Sequence, residues 1–186
     1  PEEKDEFVSK YPDLAFLIKR FIGSDEMLKG GERYCLWIEE SSLPLVENNP
    51  FIQNRLLICR NMRLKSKKLP TQKLADTLYR FGEVRYFNSN STLIVPAVSS
   101  ERRQYIPIEL TNQDVVVSNS SFAIYNAELW IFAVVQSLMH NLWIRSSCGA
   151  LETRIRYSTT LGYYTFPFPP IGDTQKHNLA RTVKEV

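Results

Sequence analysis

Apolar residues at positions 14, 16, 17, 18 and 21, with Pro12 near the first turn, predict a short helix over 11–21. Gly23-Ser24-Asp25-Glu26 ends it and caps a further short turn that closes at Gly30-Gly31. The aromatic and apolar stretch 34–38 reads as a buried strand. Pro50 then precedes apolar positions 52, 56, 59, 62 and 64, which predicts a helix over 50–66 with Arg55, Arg60 and Arg63 on its polar side. Short β candidates follow at 93–96, 105–110, 115–117 and 122–125, separated by Asn, Ser and Pro. Residues 127–147 hold neither Gly nor Pro and are dense in Leu, Trp, Phe and Met, so they form the longest predicted helix, mostly core, with Gly149 as its C-cap residue. The stretch 151–157 alternates and is expected to be extended, while the Pro-rich 166–170 can be neither helix nor central strand. Asp173 opens a final helix that the chain end is expected to truncate. Several short strands with few intervening helices imply a mixed α/β (α+β) fold, a small, mainly antiparallel sheet packed on helices 127–147 and 50–66. Its expected buried anchors are Trp130, Phe132, Leu138, Leu142 and Trp143.

Composition narrows the class. The 186 residues are 44% hydrophobic and 12% aromatic, enough to bury one sizeable core. The longest apolar run, 129–135, falls far short of the roughly 20 residues needed to cross a bilayer. The chain opens Pro-Glu-Glu-Lys, with no leader pattern and no initiator Met, as an excised piece of a longer polypeptide would. Cys35, Cys59 and Cys148 lie far apart, neither spaced for zinc nor even in number for disulfides, which points to a reduced, cytoplasmic setting.

The net charge of +3 hides an uneven distribution. Residues 1–50 carry 6 basic and 11 acidic side chains, a net of −5, whereas residues 51–85 carry 9 basic and 2 acidic, a net of +7. A block of that sign is what a polyphosphate-facing surface requires, since each neutralised phosphate releases counterions. A solvated helix face is the plainer explanation of one basic run in isolation.

Catalytic candidates are few. Seven Gly leave little room for a Gly-rich phosphate or nucleotide loop. His140, mid-helix among Leu138, Met139 and Leu142, reads as a satisfied core or groove histidine, because no Ser or Cys nucleophile context accompanies it. His177 is expected in solvent and Cys148 as a small core residue. Asn49-Pro50-Phe51 is close to the Asn-Pro-Pro-Phe/Tyr loop of amino-methyltransferases but lacks the second Pro, and reads as a helix N-terminus. Lys67 and Lys68 have no Asp…Glu-x-Lys arrangement to make a nuclease metal site.

Six strings in order carry a resemblance. They are Phe21-Ile22-Gly23-Ser24-Asp25-Glu26, Arg33-Tyr34-Cys35-Leu36-Trp37, Thr71-Gln72-Lys73-Leu74-Ala75-Asp76-Thr77, Ser99-Ser100-Glu101-Arg102-Arg103-Gln104-Tyr105-Ile106-Pro107, the Met139-His140-Asn141 to Gly149 helix, and Arg156-Tyr157-Ser158 leading to Phe166-Pro167-Phe168-Pro169. The chain thereby resembles the target-recognition domain of MmeI-like type IIL restriction–modification enzymes, which join an endonuclease, an adenine methyltransferase and a DNA-reading domain. The resemblance implies a target-recognition domain over 1–170, then the start of a C-terminal helical segment over 171–186. It implies double-stranded DNA as partner, alongside the methyltransferase and nuclease domains of the same parent chain, and no membrane. It implies no catalytic residue, metal or cofactor here; S-adenosylmethionine, with Mg2+, would serve the parent.

A duplex reader needs phosphate contacts for register and base-edge contacts for sequence. The 55–85 block suits the first, with Arg63, Lys65, Lys67, Lys68 and Lys73 beside the hydroxyls of Ser66 and Thr71. Ser99, Ser100, Arg102 and Arg103 form a compact turn suited to phosphate or a guanine edge, unless Glu101 merely pairs locally with an Arg. Glu152, Arg154 and Arg156 are expected on one face of an extended segment, opposite Thr153 and Ile155. Arg can fork onto guanine O6 and N7 and Glu can accept from cytosine N4, so a Glu-x-Arg pair could read both bases of one G·C pair. The resemblance places specificity-determining residues in this stretch, and a local Glu–Arg surface pair is the alternative. The competing function is a non-catalytic protein-interaction or scaffold domain with a solvated basic face.

Overall fold

The computed structural model describes residues 1–185; Val186, the last residue of the expected 171–186 segment, lies outside them. In chain order the elements are α1 (Glu2–Lys10), a 3-10 turn (Pro12–Leu17), β1 (Ile18–Ile22), α2 (Ser24–Lys29), β2 (Tyr34–Leu36), α3 (Leu43–Val46), α4 (Pro50–Leu64) and α5 (Leu69–Lys73). There follow β3 (Thr92–Pro96), β4 (Val98–Ser99), β5 (Glu109–Thr111), β6 (Val115–Val117), β7 (Ser121–Tyr125), α6 (Leu129–Gln136), α7 (Leu138–Ser147), β8 (Ala150–Leu151), β9 (Arg154–Arg156), a single π-helical turn (Thr159–Tyr163) and α8 (Asp173–Lys184). The fold is mixed α/β with small antiparallel sheets and packed helices. It divides into two compact units, one of Pro1–Arg20 with Tyr34–Tyr86 and one of Phe21–Arg33 with the described residues from Phe87 onward.

In the first unit, α4 starts where the sequence places it. Asn49 Oδ1 accepts from Ile52 N at 3.1 Å, and Pro50 occupies the first helical turn, where its missing N–H costs nothing. The helix buries Ile52 against Phe7, Leu17, Ile38 and Val46. Phe7 meets the Phe51 ring at 5.0 Å between centroids. Each such burial contributes roughly 1.5–3 kcal/mol. The expected helix over 11–21 is not formed. A 3-10 turn ends at Leu17, and the chain from Ile18 pairs antiparallel with β2, in the register Ile18↔Leu36, Lys19↔Cys35, Arg20↔Tyr34. Ladder hydrogen bonds to a partner some sixteen residues away override a helical pattern that spans only a few turns.

In the second unit, β3 is central and wholly buried, with β5 on one edge and β7 on the other, both antiparallel. Leu93 packs with Ala127 and Val135 on one side, and Ile94 with Ile22 and Val115 on the other. The 127–147 helix is two helices. Ser137 is extended (φ −64°, ψ 156°), and its hydroxyl accepts from His140 N at 3.2 Å, so a side-chain cap breaks a run free of Gly and Pro. The break turns a different face inward. His140, Asn141 and Ile144 are buried, while the expected anchors Leu138 and Leu142 are 52% and 56% exposed. Trp130, Phe132 and Trp143 are half-buried. Cys148, extended rather than left-handed, follows the last turn of α7. Gly149 is therefore not the cap, and its carbonyl instead accepts from Arg156 N at 3.2 Å. Of the expected 105–110 strand only Glu109 and Leu110 pair, and the pairing runs on to Thr111. The chain at 166–170 forms neither helix nor strand, and α8 packs on α6, with Lys176 Nζ 5.3 Å from the Trp130 ring centre.

Candidate nucleic-acid interface

A three-stranded sheet in the second unit joins segments far apart in sequence. β9 pairs antiparallel with both β4 (Val98↔Arg156, Ser99↔Ile155) and β8 (Ala150↔Ile155, Leu151↔Arg154). Ile155 points into a core of Val95, Ile106, Ile144 and Tyr157, whereas Arg154 and Arg156 point to solvent, as the alternation requires. Glu152 departs from that alternation. It sits in the two-residue turn of the β8–β9 hairpin with φ +57°, so its direction is set by the turn and not by the pleat. Its carboxylate nevertheless accepts from Arg154 at 3.0 Å. This is the local Glu–Arg pair. Exposed on both sides, it is worth about 1 kcal/mol or less, below the roughly 1–3 kcal/mol of a good bidentate base contact, so it does not lock Arg154 away from DNA.

Beneath the sheet, Tyr157 OH lies 2.9 Å from His140 Nε2. Burial lowers the His140 pKa from 6.5 to about 4 and raises that of Tyr157. Both are neutral at pH 7, and His140 is a core histidine, as its sequence context implied. The pair fixes the residue that follows Arg156, whose N–H also donates to Ala97 O at 2.9 Å.

The strand β4 runs directly into the 100–103 turn, closed by Arg103 N to Ser100 O at 3.2 Å and Arg102 N to Ser100 Oγ at 3.3 Å. Arg102 is 91% exposed, with Glu101 Oε1 3.9 Å from its Nε, too distant for a hydrogen bond. Arg103 is half-buried. Ser99 is a correction: its place opposite Ile155 turns it inward, and at 3% exposure its hydroxyl faces protein instead of DNA. A cation outside the expected set joins the turn. Arg145, at the solvent side of α7, donates to the carbonyls of Arg103 and Gln104, the latter at 3.5 Å. Its only signal in the sequence is a basic residue in a helix's last turn, which is too common to single it out.

The basic block of the first unit is less uniform than its charge. Arg55 pairs with Glu3, Arg80 with Glu40 at 3.3 Å and Arg85 with Glu83 at 2.6 Å. Arg63 is a second correction. It is 8% exposed, and its guanidinium donates to the carbonyls of Leu74 (2.6 Å), Thr77 (3.0 Å) and Arg80 (2.6 Å), tying the 74–80 segment to α4. Buried and tied to three carbonyls, the guanidinium does not face a phosphate. Ser66 likewise serves the loop, its hydroxyl accepting from Lys68 N and its carbonyl from Gln72 Nε2. Lys65, Lys67, Lys68 and Lys73 are exposed, as is Arg60, and among the described residues none of the five forms an ion pair.

Exposed guanidinium groups on a short, well-supported sheet, together with lysines around a helix–helix joint, define the chemistry of a nucleic-acid-recognition module. The profile described as "MmeI, target recognition domain" matches residues 1–170, and the chain belongs to that family. It is 39% identical over 184 residues to DNA methyltransferase A of Bacillus subtilis (strain 168), covering 99% of this chain and 21% of that protein. The fold matches the Type IIL restriction–modification enzyme MmeI, solved in complex with DNA, at a TM-score of 0.87 and 34% identity over 98% of this chain and 24% of that one. The chain thus spans between a fifth and a quarter of the length of these relatives.

Proposed function

We propose that this chain is the sequence-reading module of a bifunctional restriction enzyme and adenine DNA methyltransferase. It would grip duplex DNA and position the target site for methylation and cleavage by domains outside these residues. The observation that carries the reading is the β4–β9 pairing, which sets the Arg102–Arg103 turn beside Arg154 and Arg156 on one support within a member of this family. Arg154 and Arg156, with Glu152, serve base readout; Ser100, Arg102 and Arg103 contact backbone or base. Lys65, Lys67, Lys68 and Lys73 supply phosphate contacts that carry no sequence information. We assign the reading role to 1–170, and S-adenosylmethionine and Mg2+ to the rest of the parent. We assign the parent to the cytoplasm; separately, no helix among the described residues is long and apolar enough to cross a membrane.

Titrating the protein with duplex DNA across salt concentrations tests the reading. Phosphate contact gives a fall of log affinity with log salt of about 0.9 per contact. Measurable affinity with a flat slope would instead favour a protein-interaction domain with a solvated basic face.

A further inference from the structure

We propose that α7 is the strut that aims the 100–103 turn, and that Asn141 and Arg145 are specificity-setting positioning residues; the inference rests on the base-reading role assigned to this turn. Between β4 and β5 the backbone has no ladder, yet its polar groups near the core need partners. Ile106 is 2% exposed, and its N–H is taken by Asn141 Oδ1 at 2.7 Å and its carbonyl by Gln136 Nε2 at 3.3 Å. Asn141 is itself 1% exposed, and its Nδ2 donates to Ser137 O at 2.9 Å, which orients the amide from the capping residue of the same helix. One turn later on the same face stands Arg145, whose guanidinium donates to the Arg103 and Gln104 carbonyls.

The irregular segment is therefore held mainly by side chains of α7, with Gln136 at the end of α6 adding one contact. Helix α7 also holds the neighbouring strand, through His140 and Tyr157. A single terminal nitrogen, Arg145 Nη2, reaches both successive carbonyls from the end of a rigid planar group, and an ammonium on a shorter, flexible stem does not stand at the same place. Arg145 thus directs Arg102 and Arg103 through the backbone that its Nη2 binds. Discrimination depends on where those two guanidinium groups stand, so it depends on a residue that reads no base.

The test uses Arg145→Gln and Arg145→Lys in the intact parent enzyme. Methylation rates are measured on duplexes altered one base pair at a time, with hydrogen exchange followed in the same proteins. Arg102→Ala, Arg103→Ala and Arg154→Ala mark which base pairs each segment reads. Expected for Arg145→Gln is faster amide exchange across 104–106 and a loss of discrimination of about ten-fold at the pairs marked by Arg102→Ala or Arg103→Ala. Discrimination at the Arg154 pair and the salt slope should remain as in the unaltered enzyme, and Arg145→Lys should fail to restore the loss. Unchanged exchange would overturn the proposal. So would an equal loss on every duplex with a slope shallower by about one unit, which would put Arg145 itself on a phosphate. If Arg102→Ala and Arg103→Ala relax no base pair, the turn's reading role falls and the specificity role of Arg145 with it. If they do and Arg145→Gln does not, the positioning alone is wrong.

Discussion

In the first unit, exposed positive charge outside ion pairs sits mainly on Lys65, Lys67, Lys68 and Lys73, long side chains around the α4–α5 joint, with Arg60 on α4 beside them. In the second it sits on Arg102, Arg154 and Arg156, on backbone held by strand pairing and by side chains of α7. The contrast matches two tasks. A phosphate contact tolerates a mobile ammonium because every sequence offers the same charge, whereas a base edge is read only by donors held in place. Residue type does not separate the two regions. Arg63 and Arg154 are both arginines beside a polar stretch, yet Arg63 is spent on three carbonyls inside the first unit while Arg154 leans on one exposed carboxylate.

The hardest test of this contrast is Arg63→Ala. It removes a buried guanidinium that ties three half-buried carbonyls to α4, and urea denaturation should show a loss of roughly 3–5 kcal/mol. A variant that folds normally but loses affinity for all DNA would return Arg63 to the phosphate contacts.

Next in size is acid sensitivity of the support beneath β9. His140 has a folded pKa of about 4 against an ordinary 6.5, so above pH 6.5 the imidazole is neutral folded or unfolded and contributes no pH dependence. As pH falls below 6.5 the unfolded chain takes up a proton that the folded chain refuses until about 4. Stability should fall across that window by up to about 3 kcal/mol. In His140→Asn, that part of the acid dependence should be gone; an unchanged curve would show that other groups cause it.

The double swap Glu152→Lys with Arg154→Asp in the intact enzyme should change the methylated motif at one base pair, a shift of roughly 1–3 kcal/mol in preference. It should cost folding about 1 kcal/mol or less, since the pair is exposed. Retained activity on an unaltered motif would leave Glu152 and Arg154 as a surface pair only. Smallest per residue is each lysine. Single changes of Lys65, Lys67, Lys68 or Lys73 to Ala should weaken binding to all sequences alike and flatten the salt slope by about 0.9 each. A selective loss on one sequence would move that lysine to base reading.

Much of this was legible because it depends on neighbours in the chain. The cap at Asn49 and the apolar spacing after it placed α4, and the strands at 92–96, 115–117 and 121–125 lay where short apolar runs predicted them. The Arg154–Ile155–Arg156 alternation predicted one inward and two outward side chains, and His140, read as a core or groove histidine, is buried although Leu138, Met139 and Leu142 beside it are exposed. Glu152 was misplaced because alternation holds along a strand and not through a hairpin turn. Arg63 was misread because an arginine at a helix's polar edge looks solvated until the chain folds back over it.

From the sequence alone came the local elements, the basic block and, through its ordered strings, the family; each rests on residue type and on spacings of two to four positions. Tertiary structure alone decided that Ser137 splits a helix, that 18–22 is strand, that Arg63 is interior, and that the 100–103 turn lies beside 154–156 with Arg145 beneath it. Those outcomes hang on partners tens of residues away. A backbone carbonyl waiting for a donor has no signature in the chain that carries it, so only the folded molecule shows which side chain arrives.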